Sequence, residues 1–193
     1  PSDATIPPAP KSRPNSVETY LEPLRSLVDD VQPEFFIEPD ALRARFEEIC
    51  SVFDADYARV AAVHDVMLGD EVTDYGTQAA TVFGRWEQEG GGPVLPAMLA
   101  HAIEYFGLDP ESPGVRAILM SGVLAEMPND LQYHGNEHYR KVLFHAIRLA
   151  SRHNVIFRDA DPSRMLSKDD VEVLLAAACI HDIGHEGGDN LRD

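Results

Sequence analysis

Apolar residues recur at intervals of three and four through most of this chain, and that period predicts helices. Ser16 to Val31 reads as a first helix with Leu21, Leu24 and Val28 on one side, and Pro33 and Pro39 punctuate the stretch after it. Asp40 is a suitable N-cap for a second helix, striped by Leu42, Phe46, Ile49 and Phe53. A third helix carries Tyr57, Val60, Ala61, His64, Met67 and Leu68 on one face. Tyr75 to Glu89 repeats the pattern with Ala79, Val82, Phe83 and Trp86, then stops at Gly90-Gly91-Gly92-Pro93. Leu95, Met98, Leu99, Ala102, Ile103 and Phe106 mark the next helix, which ends at Gly107. Val115, Ile118, Leu119 and Val123 mark another, closed by Pro128-Asn129-Asp130. Two last helices are expected, from Leu131 to about Arg152 and from Ser167 to about Asp182. Ser167 and Asp170 form a capping box for the second of these, and the polar stretch from His153 to Leu166 reads as a surface loop. No segment alternates with period two for long enough to make a strand, and no repeat is visible. The expected fold is all-α, a multi-helix bundle.

Composition bounds what such a bundle does. At 193 residues and 44% apolar content, the chain builds one globular unit with a real core, in two subdomains. We place a flexible proline-rich leader at 1–15, an N-terminal helical subdomain at 16–130 and a chemistry-bearing part at 131–193. Cys50 and Cys179 both fall in apolar helical patterns, which predicts buried free thiols in a reducing compartment and hence a cytoplasmic location. The longest apolar stretch, Val173 to Ile180, is too short to cross a bilayer, so no membrane is expected. A formal charge of -17 argues against a nucleic-acid polymer as partner, because phosphate contact needs a basic face. A small phosphorylated substrate stays open, since a bound metal inverts the local potential.

The chemistry lies near the end, in His181-Asp182-Ile183-Gly184-His185-Glu186-Gly187-Gly188-Asp189-Asn190. His181 and Asp182 set a nitrogen ligand beside an anionic oxygen ligand, and His185 stands one turn later. The approach from Val171 to Ile180 is apolar apart from Glu172, so we expect a buried helix that delivers the pair into the interior. Buried His and Asp are costly without a partner, and a divalent metal satisfies both. A second stretch, Tyr133-His134-Gly135-Asn136-Glu137-His138, places two histidines four apart, on one face of a helix, beside the apolar arc of Val142, Leu143, Ala146, Ile147 and Ala150. His64-Asp65 is a control: His64 lies on an apolar face, Asp65 off it, and Leu68 stands where a further histidine would be needed. His64 therefore reads as a core or interface histidine, His101 and His145 as packed ones, and His153 as a loop residue.

Together these residues resemble the HD superfamily of metal-dependent phosphohydrolases, and most closely the catalytic domain of class I 3′,5′-cyclic-nucleotide phosphodiesterases. The second motif matches that family's pattern at His181, Asp182, His185, Gly187 and Asn190, whereas Gly135 stands where the first motif usually has Asn. The resemblance spans roughly Tyr133 to Asn190 and implies that 131–193 is the front part of the metal-binding catalytic core. It implies metal ligation by His138, His181 and Asp182, with Asp182 bridging two ions: Zn²⁺ at the His/Asp site and Mg²⁺ or Mn²⁺ at the second. His134 would protonate the leaving 3′ oxygen. His185 would lie near the bridging hydroxide, Tyr133 would line the substrate pocket and Asn190 would support the site by hydrogen bonding. The implied reaction is hydrolysis of a cyclic nucleotide to its 5′-monophosphate by a metal-bound hydroxide. The family also supplies an aspartate ligand and a purine clamp far downstream, so we expect this chain to be the front of a longer protein and inactive alone. Two alternatives stand beside this: another HD-type phosphohydrolase acting on a nucleotide or phosphate ester, and a non-catalytic metal-binding helical module.

Overall fold

Prolines and glycines decide where the helices of this chain begin and stop. The computed structural model describes residues 16–32, 37–69, 73–128 and 135–183, and its long elements are helices. The first expected helix is broken in two: α1 (Ser16–Tyr20) and α2 (Arg25–Asp29) flank a 3-10 turn at Glu22–Leu24. Pro23 is the cause, because it donates no backbone N–H and can sit only in the opening turn of a helix. Helix α3 (Pro39–Ala61) starts on Pro39, with Glu38 and not Asp40 as its N-cap. Asp40 sits in the first turn, where its carboxylate accepts from Arg43 at 2.8 Å. The stripe of Leu42, Phe46, Ile49, Phe53 and Val60 is continuous, so the second and third expected helices form one rod to Ala61; α4 (His64–Leu68) comes next as a single short turn.

Helices α5 (Tyr75–Gln88) and α6 (Leu95–Phe106) fall where the periodicity put them. Eight of the twelve residues of α6 are buried, Leu95 through Ala100 with Ala102 and Ile103, and α3, α7, α8 and α9 pack against it. Gly107 ends α6 in the left-handed region at φ 62°, and the Leu108 N–H reaches back to the Ile103 carbonyl at 3.0 Å. Helix α7 (Pro113–Ala125) is capped by the Ser112 hydroxyl, which accepts from the Val115 N–H at 3.1 Å. It packs close to α6 at Gly122, where a Cβ would lie 2.6 Å from a Leu99 methyl.

Helix α8 (Asn136–Ala160) is longer than its apolar stripe implied. His153 to Ala160 is helical, not a loop, because no proline or glycine interrupts it and propagation of a formed helix is easy. Pro162 supplies the stop by keeping Asp161 out of the helical region (φ -159°, ψ 86°), and a 3-10 turn at Pro162–Arg164 comes after it. Helix α9 (Lys168–Ile180) opens with the expected capping box, in which Ser167 and Asp170 satisfy each other's backbone N–H groups. It packs on α7 and α8, and also touches α6. Those neighbours cover one side alone. Leu175 and Cys179 are buried, whereas Val173 is 69% and Ile180 46% exposed, so α9 is amphipathic in its setting and not the buried rod its composition predicted. A single cluster of buried apolar side chains runs from Tyr20 and Leu24 through α6 to Leu175 and Cys179.

Candidate metal centre

The polypeptide between α8 and α9 does more than connect them. The His153 ring donates to the Arg164 carbonyl at 2.7 Å, and the Asn154 carboxamide accepts from the Leu166 N–H at 2.7 Å. The segment therefore folds back along α8 for nearly two turns before α9 begins. Thirteen residues of α9 advance about 20 Å, which carries its end from the level of Asn154 to the first turn of α8. His181, the C-cap residue of α9, arrives there beside His138.

Three donor atoms converge at that point. His138 Nε2 and His181 Nε2 are 3.3 Å apart, and Asp182 Oδ2 lies 3.2 Å from the first and 3.1 Å from the second. A metal with ligands at 2.0–2.1 Å in tetrahedral geometry has donor–donor edges of about 3.3–3.4 Å, so this triangle matches one face of such a shell. The orientation of His181 fits as well. Its Nδ1 lies 3.1 Å from the Ala178 carbonyl oxygen; a carbonyl can only accept, so Nδ1 is the donating nitrogen and Nε2 is the one turned to the triangle. Metal-binding histidines are held in this way, with the second ring nitrogen donating to a carbonyl or carboxylate. The side chains of His138, His181 and Asp182 keep 25%, 33% and 18% of their accessible surface, which leaves the centre open to solvent on one side. Burial on α9 had predicted an interior site; the centre stands instead at the rim, where α8 starts and α9 ends.

Tyr139 is a member that the sequence pattern did not single out. Its ring is buried and meets His181 edge-on at 5.6 Å, and burial together with the Asp182 charge raises its hydroxyl pKa. Its position directly after His138 was the available signal, obscured by its place in the apolar arc of α8. His134, Tyr133, His185 and Asn190 lie outside the described residues. Helix α8 starts at Asn136, with Gly135 as its extended N-cap (φ -77°, ψ 174°).

The remaining histidines sit in packed settings. His145 Nδ1 lies 2.6 Å from the Tyr75 hydroxyl, and its ring meets Phe83 edge-on. His64 Nδ1 lies 2.9 Å from His101 Nε2, away from the centre, so His64 serves packing while Asp65 is exposed. Burial, reinforced by His64, pushes the His101 imidazole down to about 4. His153 belongs to α8 and not to a loop. Comparison with protein-family models, curated proteins and solved structures finds no match. Among the described residues, no helix is long and apolar enough to cross a membrane.

Proposed function

We propose that His138, His181 and Asp182 hold a divalent metal, and that the centre serves hydrolysis of a 3′,5′-cyclic nucleotide to its 5′-monophosphate. The observation that carries this reading is the donor triangle with edges of 3.1–3.3 Å, which brings His138 to His181, 43 residues later, and to the adjoining Asp182. The His-rich donor set fits Zn²⁺, and a second ion of the Mg²⁺ or Mn²⁺ type would share the Asp182 carboxylate. When bound, such ions supply Lewis acidity and an activated water at neutral pH.

The chain's own groups have separate tasks. Ala178, through its carbonyl, fixes the His181 tautomer and aims its lone pair. Tyr139 closes the edge of the His181 ring against rotation. Asp182 brings the anionic charge that helps keep the Tyr139 hydroxyl protonated and favours a cation between the two imidazoles. His134 is assigned the proton that the departing 3′ oxygen needs, a task suited to a group of pKa near ~6.5.

The test uses the native full-length protein supplied with Zn²⁺ and Mn²⁺. Conversion of cyclic AMP or cyclic GMP to the 5′-monophosphate, abolished by Asp182→Ala, supports the reading. Hydrolysis of other phosphate esters with cyclic nucleotides untouched would redirect it to another HD-type phosphohydrolase. A metal-binding module without turnover is the second reading. It is favoured by the absence, among the described residues, of a fourth His, Cys, Asp or Glu within the triangle's reach.

A further inference from the structure

Behind the donor triangle lies a charged network whose burial needs a reason. Glu126, at the end of α7, is fully buried with its carboxylate. That carboxylate accepts from Arg140 Nη2 at 2.7 and 3.0 Å, from Arg45 Nη2 at 2.8 Å and from the Leu95 N–H at 2.8 Å. Arg140 also donates from Nε to the Pro93 carbonyl at 3.0 Å and from Nη1 to Glu137 at 2.9 Å. Glu137 in turn accepts from the Gly92 N–H at 3.0 Å. The backbone at Gly92 comes so near that a Cβ there would lie 2.7 Å from Arg140 Cδ.

A buried carboxylate paired with a buried guanidinium, and with a second that is part-exposed, is a poor source of net stability, because apolar side chains of similar volume often do as well or better. What it provides is a fixed orientation. Arg140 lies two residues after His138, which places the two side chains about 200° apart around α8. Holding Arg140 inward by three hydrogen bonds to Glu126 and the Pro93 carbonyl, both outside α8, therefore sets the rotation of the first turns of α8 and turns His138 outward, toward His181.

We infer that Glu126 and Arg140 are positioning residues for the metal centre: their ion pair sets the rotation of α8 that aims His138 at His181 and Asp182. This rests on the metal reading above. Arg45 offers the matching control, since it binds the same carboxylate from α3 and gives its hydrogen bonds to Glu126 and Glu48.

Arg140→Lys keeps the charge but replaces the planar fork with a single flexible ammonium. Arg45→Lys makes the same change on the other side of Glu126. The experiment compares zinc affinity by competition with a chromophoric chelator, thermal midpoint, and magnetisation transfer between the His138 and His181 ring protons in the metal-free protein. Arg140→Lys is expected to weaken zinc binding by about 10- to 100-fold, the usual effect of losing an outer-shell partner, and to remove the ring-to-ring transfer. Arg45→Lys is expected to stay within about twofold of the parent affinity at a comparable loss of thermal midpoint. Equal weakening in both variants, or unchanged affinity and ring contact in Arg140→Lys, would overturn the inference. If Arg140→Lys does not fold, the double replacement Glu126→Met with Arg140→Met removes both charges together and is judged by the same readouts. A parent protein that binds no zinc would defeat the metal reading. The ring contact then decides positioning alone: lost in Arg140→Lys and kept in Arg45→Lys supports it, kept in both overturns it.

Discussion

Each titratable ring in this chain owes its behaviour to the one or two atoms it meets, and the two histidine pairs illustrate opposite outcomes. His138 and His181 meet with a carboxylate between them, so an added cation is welcome there. His64 and His101 meet over Tyr105 and Tyr57 rings, and burial holds His101 neutral, at about 4. Its Nδ1 is buried with no hydrogen-bond partner among the described residues. Only a lone pair is left unpaired if His101 Nε2–H donates to His64 Nδ1. Because the folded pKa lies below the unfolded value near 6.5, the unfolded chain binds more protons between about 4 and 6.5. Stability is therefore full above that window and is lost as pH falls through it, by at most about 3 kcal/mol from this group. His101→Gln is expected to flatten the acid limb of a denaturation midpoint-versus-pH curve relative to the parent. An unchanged acid limb would show that His101 is not held neutral. The sequence placed both rings in packed settings from their apolar stripes. It could not pair them, since partners 37 residues apart are matched only by packing.

Among the elements, α8 and α9 build the centre, and they also show what a stripe of apolar residues omits. Periodicity located both helices, and Ser167 with Asp170 announced where α9 begins. It left the polar last two turns of α8 out, since polarity by itself does not end a helix and Pro162 does. Composition also overstated the burial of α9, because an apolar sequence does not say how many neighbours arrive to cover it. The register between the two helices depends on Asn154, whose side chain accepts from the Leu166 N–H and donates to the Leu166 carbonyl at 3.4 Å. Asn154→Ala should release that segment, lower stability by about 1–2 kcal/mol and weaken zinc binding severalfold, read from denaturant melts and chelator competition. Undiminished zinc affinity would mean that the packing of α9 on α7 sets the register alone. Ser167→Ala removes a hydroxyl cap at the far end of α9 and should cost about 1 kcal/mol. Zinc affinity should stay put in this variant, because the cap stabilises the helix at the end away from the donors.

For the whole molecule, the all-helical architecture was legible because long apolar stripes at period 3.6 leave little room for anything else. The centre was legible in part. His181-Asp182 and His138 stand out as ligand types, while their meeting depends on a folded-back connection and a buried ion network that no local pattern announces. Glu126, Arg140 and Arg45 come from the end of α7, from α8 and from α3, and become one feature only in the folded chain. A centre that closes the open rim between two helix ends should stabilise the fold on binding. At free zinc of 100 times the dissociation constant, linkage contributes about 2.7 kcal/mol, which raises the thermal midpoint of a chain of this size by roughly 5–10 °C. Chelation should return it to the metal-free value, and a melt indifferent to both zinc and chelator would argue against a site formed by folding.

The most direct measurement is the stoichiometry and affinity of zinc, by competition with a chromophoric chelator, for the parent chain and for His181→Ala and Asp182→Ala. We predict one zinc tightly held per parent chain and loss of that binding in both variants, with their helical content retained. A parent chain that takes up no zinc, or variants that bind it as tightly as the parent, would contradict the proposal that His138, His181 and Asp182 form a metal centre.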